Sequence, residues 1–121
     1  PNRYLAGITE VALKNHYTDK TNWRKMLQND IVSIDLIAER LKVENLIPSE
    51  VQEFYHLNKN DPYEMHFPVL YYPKKINSLS LDKTPHYKGK LTGIKGQYLI
   101  FEDGTVFNVR SFEGYVVRLE V

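Results

Sequence analysis

Cysteine is absent from this 121-residue chain, so neither a disulfide nor a thiolate-bound metal can form within it. No apolar run approaches the ~18 residues that a membrane-crossing helix needs, which excludes a membrane partner of that kind. Internal repeats and low-complexity tracts are missing as well. The first residue is Pro1 rather than Met, and no basic-then-apolar leader follows it. The chain therefore reads as a processed product or, the favoured reading, an excised part of a longer protein, with the cytoplasm as its default location.

What is present is the balance of a globular chain: 42% hydrophobic and 26% charged residues, too apolar for a disordered segment. The length suits one cooperative domain, or two small subdomains sharing a core. A net charge of +1 hides a segregation. Residues 1–28 hold five cations against two carboxylates, and residues 29–65 three cations against eight carboxylates. Residues 73–95 hold six lysines against Asp82 alone, interleaved with tyrosines.

Helical periodicity fills residues 1–62 and strand chemistry fills 63–121, which predicts an α+β fold with N-terminal helices packed on a curled, mostly antiparallel sheet of five or six strands. In the first helix Tyr4, Leu5, Ile8, Val11 and Ala12 share one face, and packing through Tyr4, Ile8 and Val11 is expected. Arg3, Gly7, Glu10 and Lys14 form another stripe. A second helix is expected to start near Asp19 or Thr21, burying Trp23, Met26 and Leu27. A third follows Ser33, presenting Ile34, Ile37, Ala38 and Leu41. A short fourth begins either with Ser49 and Gln52 as a capping box or with Pro48 in its first turn. The run Asn58 to Pro62 ends the helical part.

From Tyr63 onward, "YEMHFPVLYY", "KGKLTGI", "QYLIFE", "TVFNVR" and "YVVRLEV" read as strands, the first limited to an edge or bulge by Pro68. Asp103-Gly104 is the strongest local signal. As the centre of a type I′ turn it sets Glu102 opposite Thr105, Ile100 opposite Phe107 and Tyr98 opposite Val109. Trp23, Phe54, Ile100, Phe107 and Val109 are the expected core. Glu113-Gly114 marks another turn.

The glycines at 89, 93 and 96 are spaced four and three apart, matching neither phosphate-binding fingerprint, and a strand rather than a helix follows them. A bulge or tight bend explains them better. Glu53 and His56 have a spacing two metal ligands use, but it is also that of a solvated helix face. Ser33 and Ser49 read as caps, and no nucleophile motif occurs.

Two constellations carry more. Lys74, Lys75, Lys88 and Lys90, among Tyr71, Tyr72 and Tyr87, suit phosphates and stacked bases, or else a lysine-fringed sheet edge. On the first helix, Glu10 between Arg3 and Lys14 suits a divalent cation beside a phosphodiester, or else a plain i, i+4 ion pair with Lys14.

The stretches "PNRYLAGITEVALKNHYTDKTNWRKML" and "LDKTPHYKGKLTGIKGQYLIFEDGTVFNVRSFEGY" resemble the C-terminal part of a bacterial family, domain-of-unknown-function family 2797, in its Bacteroidetes-type form. Members of that family also resemble, more faintly, GIY-YIG nucleases, in which a helix following a tyrosine-bearing strand pair supplies a metal-binding glutamate. That resemblance implies that "RYLAGITEVALK" is this helix and Glu10 its glutamate. The matching tyrosine, glycine and arginine positions lie upstream of Pro1. It also implies no cofactor in this fragment, a divalent metal only in the full-length protein, and no catalysis by the fragment alone.

Two functions follow as expectations. The first is a nucleic-acid-associated module, the remnant of a metal-dependent nuclease-like protein, with Glu10 as metal ligand and Arg3, Lys14, Lys74, Lys75, Lys88 and Lys90 contacting nucleic acid. The second is a non-catalytic interaction or scaffolding domain that uses aromatics between Phe67 and Tyr72, with a homo-oligomer as one way to cover them.

Overall fold

In the computed structural model, which describes residues 2–55 and 61–121, three helices start on short amide or carboxylate side chains. Asn2 accepts from the Leu5 N–H ahead of α1 (Arg3–Leu13), and Asn22 from the Lys25 N–H ahead of α2 (Trp23–Gln28). Asp35 accepts from the Ile37 and Ala38 N–H groups ahead of α3 (Leu36–Glu44). These caps satisfy donors that the first turn leaves unpaired. The expected starts at Asp19, Thr21 and Ser33 are thus displaced to Asn22 and Asp35, nearer the first helical residues. In α4 (Ser49–Gln52), Pro48 stands at the N-cap without a side-chain bond, and the Ser49 hydroxyl donates to Glu50 instead of closing a capping box.

The chain forms two compact units. One comprises Pro1–Thr21 and Val32–Glu64, the other Asn22–Ile31 and Met65–Val121. The helical unit holds α1, α3 and α4. The half-buried side of α1 is Leu5, Ile8, Thr9, Ala12 and Leu13, whereas Tyr4 and Val11 are 69% and 71% exposed. The packing face is therefore rotated from the expected one: Leu5, Ile8 and Ala12 are kept, and Thr9 and Leu13 replace Tyr4 and Val11 on the side of the helix that is covered, in a unit where α1 packs against α4. Ile47 is buried, the Tyr55 hydroxyl donates to the Arg40 carbonyl, and Phe54 is half-buried. Ile34, Ile37 and Leu41 are exposed. His56 and Asn58–Asn60 lie outside the described residues, so the Glu53–His56 pair and most of the expected helix break do too.

The second unit is a four-stranded sheet with α2 on one face. The strands are β1 (Asn77–Ser78), β2 (Leu91–Lys95), β3 (Tyr98–Phe101) and β4 (Thr105–Asn108), in the order β1-β4-β3-β2. All neighbours are antiparallel except β1 and β4. The architecture is α+β, with fewer strands than expected. "YEMHFPVLYY" contributes one bridge, Val69 to Gly93, and "YVVRLEV" stays outside the sheet. Available edges explain this. Pro68 and Leu70 already hold the free side of β2 through Ile94 N–H to Pro68 O and Leu70 N–H to Thr92 O, while β1 offers only two residues.

The β3–β4 hairpin pairs Ile100 with Val106, Leu99 with Phe107 and Tyr98 with Asn108, one residue away from the expected register. The loop has three residues, not two. Gly104 alone takes the left-handed conformation (φ 82°), and its N–H donates to the Phe101 carbonyl. Asp103 instead folds its carboxylate onto the Thr105 N–H at 2.8 Å. Asp-Gly serves a type I turn with a glycine bulge as well as a type I′ turn, and only the paired strands decide between them. A one-residue shift turns Phe107 to the face opposite Ile100. It also leaves Val109 beyond the strand, opening a 3₁₀ turn (Val109–Phe112) at 49% exposure.

Leu27 of α2 meets Ile100 and Val106 of the sheet, all three essentially inaccessible, with Trp23, Met26, Val69, Ile76 and Tyr98 around them. Trp23 stacks on Tyr98 with centroids 5.8 Å apart. The opposite face carries Phe107 on Phe112 and Phe101 on Tyr87. At Gly93, beside the register shift in β2, an added Cβ would stand 2.9 Å from the Val69 side chain; here glycine allows close approach rather than phosphate binding.

Candidate nucleic-acid interface

Four of the lysines singled out from sequence meet at one end of the sheet, around the β3–β4 loop. The Lys75 carbonyl abuts Gly104, so a Cβ there would strike it. The adjacent Lys74 carbonyl accepts from the Gln28 side chain, which ties this segment to α2. From the other direction, the Tyr87 hydroxyl donates to Asp103 at 3.1 Å and brings Lys88 alongside. Lys90 accepts the Glu102 N–H at its carbonyl and pairs its ammonium with the Glu102 carboxylate at 3.4 Å.

The loop's two carboxylates are already engaged. Asp103 is held below the usual carboxylate range, first by the Thr105 N–H and further by the Thr105 and Tyr87 hydroxyls. Burial is the main reason the Tyr87 hydroxyl is raised, with Asp103 adding to it. Lys74, Lys75 and Lys88 are exposed and form no ion pair with a described residue. Three lysines without an ion pair among the described residues, on segments that border this loop, supply charge that a polyanion needs. Of the three tyrosines proposed to stack on bases, Tyr71 keeps an exposed ring. Tyr87 packs edge-on against Phe101, and Tyr72 lies 4.7 Å from the Lys95 ammonium.

Lys95 is the residue that sequence reading passed over, counting it only as one of six lysines. It is buried on the α2 side of β2, where its Nζ donates to the Met26 carbonyl at 3.0 Å in the last turn of α2. The rings of Tyr72 and Phe67 flank it. A cation at a helix C-terminus, between two aromatic faces, is well placed to anchor the helix to the sheet. Lys95 shares its face with Gly93 and, across the pair, with Ile100, and no sequence signal marked it. On the same face the Asn108 side-chain oxygen is buried without a hydrogen-bond partner among the described residues.

Arg3 and Glu10 lie in the other unit, on α1, with Lys14 at its C-cap. Glu10 is exposed on a shallow depression of about 180 Å³ that Lys14, Tyr17 and Asp19 also border; Arg3 does not line it. Glu10 and Lys14 make no ion pair with each other. Among the described residues no three His, Asp or Glu side chains gather as a metal site. Glu10 and Asp19 alone fall short of the oxygen ligands a divalent cation takes, so a metal there needs further donors. Tyr17 is drawn elsewhere: its hydroxyl donates to Glu39, which also pairs with Lys42. The Lys42 bond, then the Tyr17 bond, holds the Glu39 carboxyl low.

Residues 1–117 match the model of a family described as "Protein of unknown function (DUF2797)". The chain belongs to this family. No curated protein and no solved structure matches it. The match spans both units of the family member described here, so the α1 stripe and the lysine-bordered loop both lie within it. Among its described residues no helix is long and apolar enough to cross a membrane.

Proposed function

We propose that this family member is a nucleic-acid-binding module whose contact surface is the lysine rim around the β3–β4 loop. The observation that carries the reading is the meeting of Lys74, Lys75 and Lys88 beside a loop whose carboxylates are satisfied internally. Tyr71 supplies an exposed ring for stacking on a base. The finer parts of the proposal are a cytoplasmic, Bacteroidetes-type protein and a GIY-YIG-like origin for α1. In that origin Glu10 is a metal ligand of the longer protein, Arg3 and Lys14 are phosphate contacts, and the remaining ligands come from outside this chain.

Fluorescence anisotropy with labelled single- and double-stranded oligonucleotides tests the rim. Three phosphate contacts give a slope of log K against log salt of roughly −2 to −3. Changing Lys74, Lys75 and Lys88 together to Glu abolishes binding at low salt, while Lys14→Glu leaves most of it. No binding by the unaltered chain at low salt would remove the proposal.

A second reading, a protein-interaction domain, draws on the exposure of Phe67, Leu70 and Tyr71 along the free side of β2. It predicts that a Leu70→Asp change abolishes partner capture and leaves oligonucleotide affinity unaltered.

A further inference from the structure

The chain beyond the 3₁₀ turn alternates in chemistry like a strand, yet no strand among the described residues pairs with it. Val116 and Val121 are fully exposed, and Val117 and Leu119 are 65% and 86% exposed. Arg118 Nε lies 3.1 Å from Glu120 Oε1, which sets those two side chains on one side, as extended backbone does. Val117, Leu119 and Val121 then form an apolar row on the other side. Next to this segment is a mostly apolar depression of about 370 Å³ lined by Phe107, Val109, Phe112, Tyr115 and Val117, with Arg110 and Glu113 also bordering it. The sheet cannot take the segment in, because Pro68 and Leu70 hold one edge and the other is two residues long.

The order of side chains says what can pair with it. We propose that residues 117–121 form an antiparallel ribbon with the same residues of a second copy of this chain, centred on Leu119. In that register Arg118 stands opposite the partner's Glu120, and Glu120 opposite the partner's Arg118. Leu119 meets its own counterpart, and Val117 meets the partner's Val121. Every cross-strand pair is either apolar or oppositely charged, and the twofold repeats each favourable pair. A parallel alignment in register sets Arg118 against Arg118 and Glu120 against Glu120, which is repulsive. Because a two-stranded ribbon by itself is marginal, the apolar row closes over the depression of each copy and hides Phe107, Val109 and Phe112 from water. This inference is independent of nucleic-acid binding, since neither Lys74, Lys75 nor Lys88 takes part.

Sedimentation equilibrium of the full chain tests it, with Arg118→Glu and Glu120→Arg as probes. The unaltered chain forms a dimer. Each single reversal creates two like-charged pairs and weakens that dimer by about tenfold or more in Kd. An equimolar mixture of the two variants restores association, because every pair across the mixed dimer is again opposite in charge. Trp23 emission, reporting the core of the sheet unit, stays unchanged throughout and shows that the variants fold. A chain that is monomeric at all concentrations overturns the proposal. So does a dimer indifferent to either reversal, or a mixture that stays dissociated.

Discussion

The two units were assembled from equally periodic sequence, yet they bury their side chains differently. In the sheet unit Leu27, Ile100 and Val106 are sealed from water between α2 and the strands. In the helical unit Ile47 is the most buried apolar group among the described residues, and Val11, Ile34, Leu36 and Leu41 are more than half exposed. A sheet presents a continuous apolar face on which one short helix can seat, and Trp23, Met26 and Leu27 suffice for α2. A helix buries only a stripe, so what it hides depends on having a partner of matching length. Apolar periodicity therefore shows that a face exists, not that it is covered.

This contrast can be broken experimentally. Ile100→Ala empties the centre of the sheet unit and is expected to cost about 3 to 4 kcal/mol, read by urea denaturation through the fluorescence of Trp23, the single tryptophan. Gly104→Ala is next, at about 2 to 3 kcal/mol, since it adds a side chain at positive φ and pushes it into the Lys75 carbonyl. Ile47→Ala in the helical unit is expected to cost about 2 kcal/mol in the far-ultraviolet helix signal; a loss equal to that of Ile100→Ala would erase the difference between the units.

Asp103 gives the smallest effect. Its folded-state pKa is depressed, so its contribution is present above the unfolded value and lost as the pH falls below about 4. Asp103→Asn keeps the acceptor for the Thr105 N–H but no longer titrates, and it is expected to flatten this part of the acid dependence while changing neutral-pH stability by only a few tenths of a kcal/mol. An unaltered acid limb in that variant would show that other carboxylates control it.

The fold class was legible because helix and strand periods differ and occupy different halves of the chain. The Asp103-Gly104 turn was legible too, as a turn, though not as a three-residue loop. Turn residues state where a chain reverses, whereas register depends on which pairing fills the space beneath α2. The lysines at 74, 75, 88 and 90 were visible as a basic block. Their meeting around one loop was not, since it depends on Lys75 abutting Gly104 and Tyr87 reaching Asp103. Lys95 went unrecognised because nothing local distinguishes a lysine under a helix end from one in water.

By itself, then, the sequence determined the α+β class, the approximate position of each helix, the chain reversals and the uneven spread of charge. These follow from properties of neighbouring residues: period, capping chemistry and side-chain type. Tertiary structure alone decided which stripe of α1 is covered, the register that seats Ile100 on Val106, the burial of Lys95 and the exposure of residues 116–121. Each of those is a choice between locally equivalent options, and the energy that settles it comes from contacts with residues far along the chain.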